Sequence, residues 1–162
     1  MRHRMASYNE ISYRFVKAKI EFYIPPKWRY QDKVNKQSSA GAFESEELVE
    51  IYKKALMQSY QTYEQLLEKG VARELARGVL PVSIYTEFIY TCNLHALMHF
   101  LSLRMAPGAQ QEIRSYAFGL LKLAEPYFPE AFAAWRKQHP TLFADKTWAI
   151  DFINNLSNTE NR

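Results

Sequence analysis

The sequence predicts an α+β fold, helices packed on a small sheet, and three observations carry that reading. Two stretches, Val16 to Ile24 and Val82 to Cys92, are rich in β-branched and aromatic residues and alternate apolar with polar positions. The other long segments place apolar residues three and four apart, as helices do. At 162 residues, 48% hydrophobic and 15% aromatic, the chain has the size and makeup of one domain with a single core. That domain is expected over residues 1–145, with residues 146–162 as a partly disordered tail.

Taken in order, the chain opens on Arg2-His3-Arg4-Met5-Ala6-Ser7-Tyr8-Asn9-Glu10-Ile11-Ser12-Tyr13-Arg14-Phe15. As a helix this stretch lacks an apolar stripe, and as a strand it alternates only at Ile11, Tyr13 and Phe15. It reads better as the wall of a binding site, because guanidinium forks grip phosphate or carboxylate through paired hydrogen bonds. The alternative is a solvated basic arm, Arg2-His3-Arg4, on a helical module that grips nucleic acid and stacks bases on Trp28 or Tyr30. Glu10 argues mildly against the arm.

In Val16 to Ile24 the residues Val16, Ala18, Ile20, Phe22 and Ile24 share one side, which predicts a half-buried strand ended by Pro25-Pro26. Lys27 to Glu44 is poor in aliphatics and predicts a long loop, either mobile and functional or disordered. Ser45 is placed to cap a helix running to Lys69, with Glu46 and Glu47 in its first turn and Lys69-Gly70 as its stop. Its apolar face is Leu48, Tyr52, Ala55, Leu56, Tyr60, Tyr63, Leu66 and Leu67. A shorter helix is expected from Val71 to about Gly78, then the strand Val82 to Cys92.

Asn93 is placed to cap a helix from Leu94 to about Met105 that buries Leu94, Leu97, Met98 and Leu101. A helix from Ala109 to Ala124 follows Pro107-Gly108. Another is expected from about Glu130 to Gln138, with Phe132 and Trp135 in the core or an interface. The tail from Asn154 to Arg162 is too polar to order itself.

Twenty-one basic against 17 acidic residues give a formal charge of +4, which suits a phosphate-bearing small molecule as well as nucleic acid. Cys92 is the single cysteine, which excludes an internal disulfide and points to a reduced, cytoplasmic setting. It reads as a small core residue. No apolar run approaches the roughly 18 residues of a membrane span, and no leader is visible, so a soluble protein with no membrane partner is expected. His95 and His99 stand one turn apart, yet catalytic zinc generally takes a third protein ligand, and no metal site is assigned.

Three separated motifs give the sequence a resemblance to the flavin-dependent thymidylate synthases, from Arg2 to about Trp135. The first is Arg2-His3-Arg4, seven residues, then Ser12. The second is Arg77-Gly78-Val79-Leu80-Pro81. The third is Asn93, His95, His99 and Arg104, where arginine is the commoner occupant at His95; Ala109-Gln110-Gln111-Glu112-Ile113 follows, with Gly108 where a histidine often stands.

The resemblance implies reductive methylation of dUMP to dTMP with FAD as cofactor, NADPH as reductant and methylenetetrahydrofolate as carbon donor. It implies a homotetramer with shared active sites and no nucleic acid partner. Residue by residue it assigns flavin binding to Arg2, His3, Arg4, Glu10, Asn93, His95 and His99. Nucleotide binding goes to Arg2, Glu10, Ile11, Ser12, Tyr13, Arg14, Arg77 and Arg104, and Arg104 is also given the catalytic part of stabilising the ionised pyrimidine. In that family a substantial portion precedes the first motif, so this chain is expected to be a fragment of doubtful activity alone.

Overall fold

The computed structural model describes residues 3, 5–36 and 38–144, and the chain falls by its internal contacts into two compact units. One takes in residues 1–6, 31–39 and 92–162, the other residues 7–30 and 40–91. The expected tail, residues 146–162, lies outside the described residues, as do Arg2 and Arg4.

The described strands are β1 (Ala6–Glu10), β2 (Trp28–Gln31), β3 (Ser39–Phe43) and β4 (Phe88–Cys92), paired as two small sheets, β1 with β4 and β2 with β3. The α-helices are α1 (Glu46–Glu68), α2 (Arg73–Ala76), α3 (Leu94–Arg104), α4 (Gln111–Ala124) and α5 (Pro129–Gln138). The class is α+β, as the sequence predicts.

The unit of residues 7–30 and 40–91 is built on α1. The Ser45 hydroxyl accepts from the Leu48 N–H at 3.3 Å and satisfies one orphan donor of the first turn. At the other end Gly70 takes φ +79°, its N–H bonds Leu67 O at 2.9 Å, and the Val71 N–H reaches Leu66 O at 3.0 Å. This is the Schellman ending, and it needs the left-handed conformation that glycine adopts without strain. Leu56, Tyr60 and Tyr63 form the buried stripe of α1, whereas Leu48 at its first turn stays 37% exposed.

Val16 to Ile24 is not a strand, contrary to its alternation. Only Ala18 on the expected face is buried, and Val16 and Ile20 are 47% and 53% exposed. The hydroxyl of Tyr63 accepts from the Ala18 N–H at 3.2 Å and that of Tyr60 donates to Ala18 O at 3.2 Å, so α1 satisfies the backbone that a neighbouring strand would have paired. Farther on, the Tyr23 N–H bonds Ser83 O at 2.8 Å, the Tyr85 N–H bonds Glu21 O at 3.0 Å, and the ladder amounts to one antiparallel bridge, Phe22 to Ile84.

The strand expected over Val82 to Cys92 is likewise shorter, because Val82 and Ser83 lie in a turn and regular pairing starts at Phe88. Its partner β1 was not expected. The Ile11 N–H, just past β1, bonds Glu87 O, just before β4, at 3.0 Å, so the two strands run in opposite directions. Four of the five residues of β1 are exposed, and with so little of the strand covered no alternation is imposed on its side chains.

The loop expected from Lys27 to Glu44 contains the β2–β3 hairpin. Asp32 Oδ1 accepts from the N–H groups of Val34 at 2.8 Å and Asn35 at 3.1 Å, an Asx turn that local chemistry supports without aliphatic residues. Tyr30 stacks on Phe43 at 4.4 Å between ring centroids. The single helix expected from Val71 to Gly78 is α2 followed by a 3-10 turn, Arg77–Val79. Leu80 is extended, at φ −68° and ψ 137°, as the residue before Pro81 should be.

In the other unit α3 packs on α4 and α5. Phe100, Leu101, Met105, Ala117, Leu121, Phe132, Trp135 and Leu142 form its buried core, with Leu94, Leu97 and Met98 partly buried against it. Each large side chain so buried contributes about 1.5–3 kcal/mol. Trp135 Nε1 donates to Ser102 Oγ at 3.0 Å, which removes the cost of burying the indole N–H. Arg136 grips Glu125 through two bonds of 2.8 and 2.7 Å.

Candidate functional site

The residues that form α3 also set out the first group of site residues. Asn93 precedes the helix with extended backbone, and its Oδ1 accepts from the Ala96 N–H at 2.8 Å, so its acceptor is committed to capping. His95 and His99 follow at helical spacing and are exposed. Arg104 closes the last turn, where a cation suits the negative end of the helix dipole.

His3 packs against this helix. Arg104 Nε donates to His3 Nε2 at 3.0 Å, a bond between residues 101 positions apart. The His3 ring is 9% exposed and stands edge-on to Phe100 at 4.8 Å and to His99 at 6.1 Å between centroids. A guanidinium has no lone pair to offer, so Nε2 must be the acceptor, and a neutral His3 carries its proton on Nδ1. Burial holds the His3 pKa below its ordinary value, and the charges of Arg104 and His99 push it the same way. Among the described residues Arg104 has no other hydrogen bond, which leaves its two terminal amino groups for a planar acceptor.

The second group lies in the unit of residues 7–30 and 40–91. Glu10 ends β1 and its Oε1 accepts from Thr86 Oγ1 at 2.8 Å. Ile11 is tied to Glu87 through its N–H. Ser12 O accepts from the N–H groups of Phe15 at 2.9 Å and Val16 at 3.2 Å, so Ser12 starts a tight turn through Tyr13 and Arg14. Tyr13 donates its hydroxyl to Tyr85 O at 2.6 Å, and burial first, then the Glu10 and Glu21 carboxylates, raise its pKa. The Arg14 guanidinium is exposed and lies 5.4 Å over the Phe15 ring.

Arg77 is not brought to Ser12 or Arg14 by any hydrogen bond among the described residues; its Nε reaches back to Glu74 O at 3.4 Å. Trp28 is edge-on to Tyr52 at 5.5 Å and helps line a cleft of about 440 Å³ with Pro26, Glu44, Val49 and Lys53. Sequence reasoning missed Thr86 and Phe100. Phe100 had a legible signal, since it precedes Arg104 by one helical turn, whereas Thr86 meets Glu10 only through strand register.

A family model described as thymidylate synthase complementing protein matches residues 1–130. A flavin-dependent thymidylate synthase of Thermus thermophilus is 50% identical over 136 residues, covering 84% of this chain and 50% of its own length. The enzyme of the same name from Thermotoga neapolitana is 43% identical over 136 residues, covering 84% of this chain and 59% of its own length. The chain thus spans about half to three fifths of the length of these relatives. Among solved structures, the UMP/dUMP methylase PolB from Streptomyces cacaoi bound with 5-Br dUMP aligns with a TM-score of 0.72 and 36% identity, covering 82% of this chain and 63% of that one.

Proposed function

Because the chain belongs to the flavin-dependent thymidylate synthase family, we propose that it serves the reductive methylation of dUMP to dTMP, with methylenetetrahydrofolate as carbon donor and NADPH as reductant. The observation that carries this reading is Arg104, a half-buried guanidinium held at Nε by a neutral imidazole, with its terminal amino groups unengaged among the described residues. Methylation at C5 requires electron density there, and a directed cation beside the ionised pyrimidine stabilises the charge that develops.

Ser12, Arg14 and Arg77 are the donors proposed for the nucleotide phosphate, with Glu10, Ile11 and Tyr13 shaping the same site. A fork and a hydroxyl suit a phosphate better than point charges do. Arg2 belongs to the same proposal.

The donors on α3 fit a flavin. Exposed His95 and His99 with Asn93 at the helix start present N–H groups to an acceptor-rich ring edge and pyrophosphate. His3 takes part as a donor only through Nδ1, and Arg2, Arg4 and Glu10 complete the proposed set. Bound FAD would supply the two-electron transfer; the residues of this chain would hold it in place and shield it from water.

Steady-state kinetics on the natural full-length protein test the reading. Arg104→Lys keeps the charge but not the planar fork, so kcat should fall about a hundred- to a thousand-fold. Arg14→Lys should raise KM more than it lowers kcat. An Arg104→Lys protein with near-normal kcat and full flavin content would remove Arg104 from the chemical step.

A further inference from the structure

We propose that His3 is the positioning residue for Arg104: its imidazole, anchored on Phe100, fixes the plane of the guanidinium through the Nε2 bond so that Arg104 meets the pyrimidine already oriented. The inference rests on the role given to Arg104 above and deepens it.

An arginine at the end of a helix is a poor directional donor by itself, since its long side chain has many rotamers to give up when it is held in one geometry. Arg104 occupies that position, in the last turn of α3. The bond to His3 Nε2, at 3.0 Å, is the hydrogen bond that restrains it among the described residues. His3 is in turn restrained by packing, because its ring lies 4.8 Å from that of Phe100, which is 1% exposed. Phe100 and Arg104 are one turn apart on the same helix, so a single rigid element carries both the anchor of the imidazole and the group that the imidazole orients.

The bond has a direction, and the direction sets a condition. Protonated His3 has no lone pair at Nε2 and would turn a second donor toward a cation. The arrangement therefore works only with neutral His3. Burial disfavours its protonation most, and the charged or titratable groups that act on it, Arg104 and His99 of α3 and the amino terminus of the chain, push the same way.

The test uses two variants of the natural full-length protein with flavin bound. His3→Phe keeps the ring against Phe100 and removes the acceptor; His3→Gln keeps a neutral acceptor and removes the titration. For His3→Phe, kcat should drop about ten- to a hundred-fold, the worth of a hydrogen bond to a charged group, with KM for dUMP changed little. His3→Gln should recover most of that loss. The unaltered protein should also show an acid limb in kcat with an apparent pKa below the usual histidine value, and His3→Gln should lack it.

An unchanged kcat in His3→Phe overturns the proposal, as does an acid limb that persists in His3→Gln. Loss of flavin in step with activity in both variants also overturns it, because holding the flavin through Nδ1 would then account for the whole effect of His3. Where His3→Phe does not fold, the pH profile of His3→Gln decides alone. Failure of the unaltered protein to bind 5-bromo-dUMP or methylate dUMP sinks the functional reading itself, a result distinct from any of these.

Discussion

Ala18 is the residue at which side chains most directly take over a backbone task. Its N–H and C=O are both buried, and both are satisfied by tyrosine hydroxyls one turn apart on α1, Tyr63 and Tyr60. Orphaned N–H groups are rarer in folded proteins than under-satisfied carbonyls. Tyr63→Phe should therefore cost about 1–3 kcal/mol, and Tyr60→Phe less. Chemical denaturation of the two variants checks the order, and an equal or reversed cost would show that Ala18 is not held as described. His3 gives a second expectation at this scale. Its pKa is lowered from 6.5 in the folded state, so well above pH 6.5 neither state binds its proton, and as the pH falls through 6.5 the unfolded chain takes it up first. The contribution of His3 to stability should be full well above pH 6.5 and decline as the pH falls through 6.5 toward the folded-state pKa. Melting temperatures between about pH 8 and 5 should show a shallower acid decline for His3→Gln than for the unaltered protein.

At the scale of elements, stability should divide by burial and not by hydrophobicity. Phe132 of α5 is 0% exposed and Leu123 of α4 is 71% exposed, although the two are similarly apolar. Phe132→Ala removes a ring from a closed core and should cost about 3–5 kcal/mol through lost transfer energy and the cavity left behind. Leu123→Ala should stay within about 0.5 kcal/mol. Urea unfolding of both variants decides this, and a large loss at Leu123 would mean that α4 is covered by something beyond the described residues. Helix ends follow the same local logic: Ser45 and Asn93 each accept from the N–H three residues on. Both caps are visible in sequence because they depend on neighbours in the chain.

For the whole molecule, the assembly remains a proposal with its own test. Ile89 and Tyr127 are 67% and 79% exposed, large apolar side chains of the kind a subunit interface would cover. We expect the natural full-length protein to be a homotetramer with shared sites, and light scattering should give four times the chain mass. A clean monomer that still methylates dUMP would refute shared sites. We also expect that protein to keep its yellow flavin absorbance after desalting, and a colourless protein that still methylates dUMP would show that the cofactor has been misassigned.

What the sequence by itself determined is what short range controls. The helices carrying Leu56, Tyr60, Phe132 and Trp135, the caps Ser45 and Asn93, the stop at Gly70 and the grouping of His95, His99 and Arg104 on one helix all follow from period, capping chemistry and spacing. The family, too, is legible there, because fixed polar residues in three ordered motifs survive in the linear text. Tertiary structure decided the rest. Val16 to Ile24 has strand patterning but no strand partner along most of its length, since tyrosines from α1 reach its backbone first. The β1 strand has a partner but no patterning, since little of it is covered. The bond from Arg104 to His3 joins residues 101 positions apart. No local rule specifies such a pair, because it exists only once the chain has folded the two ends of that interval together.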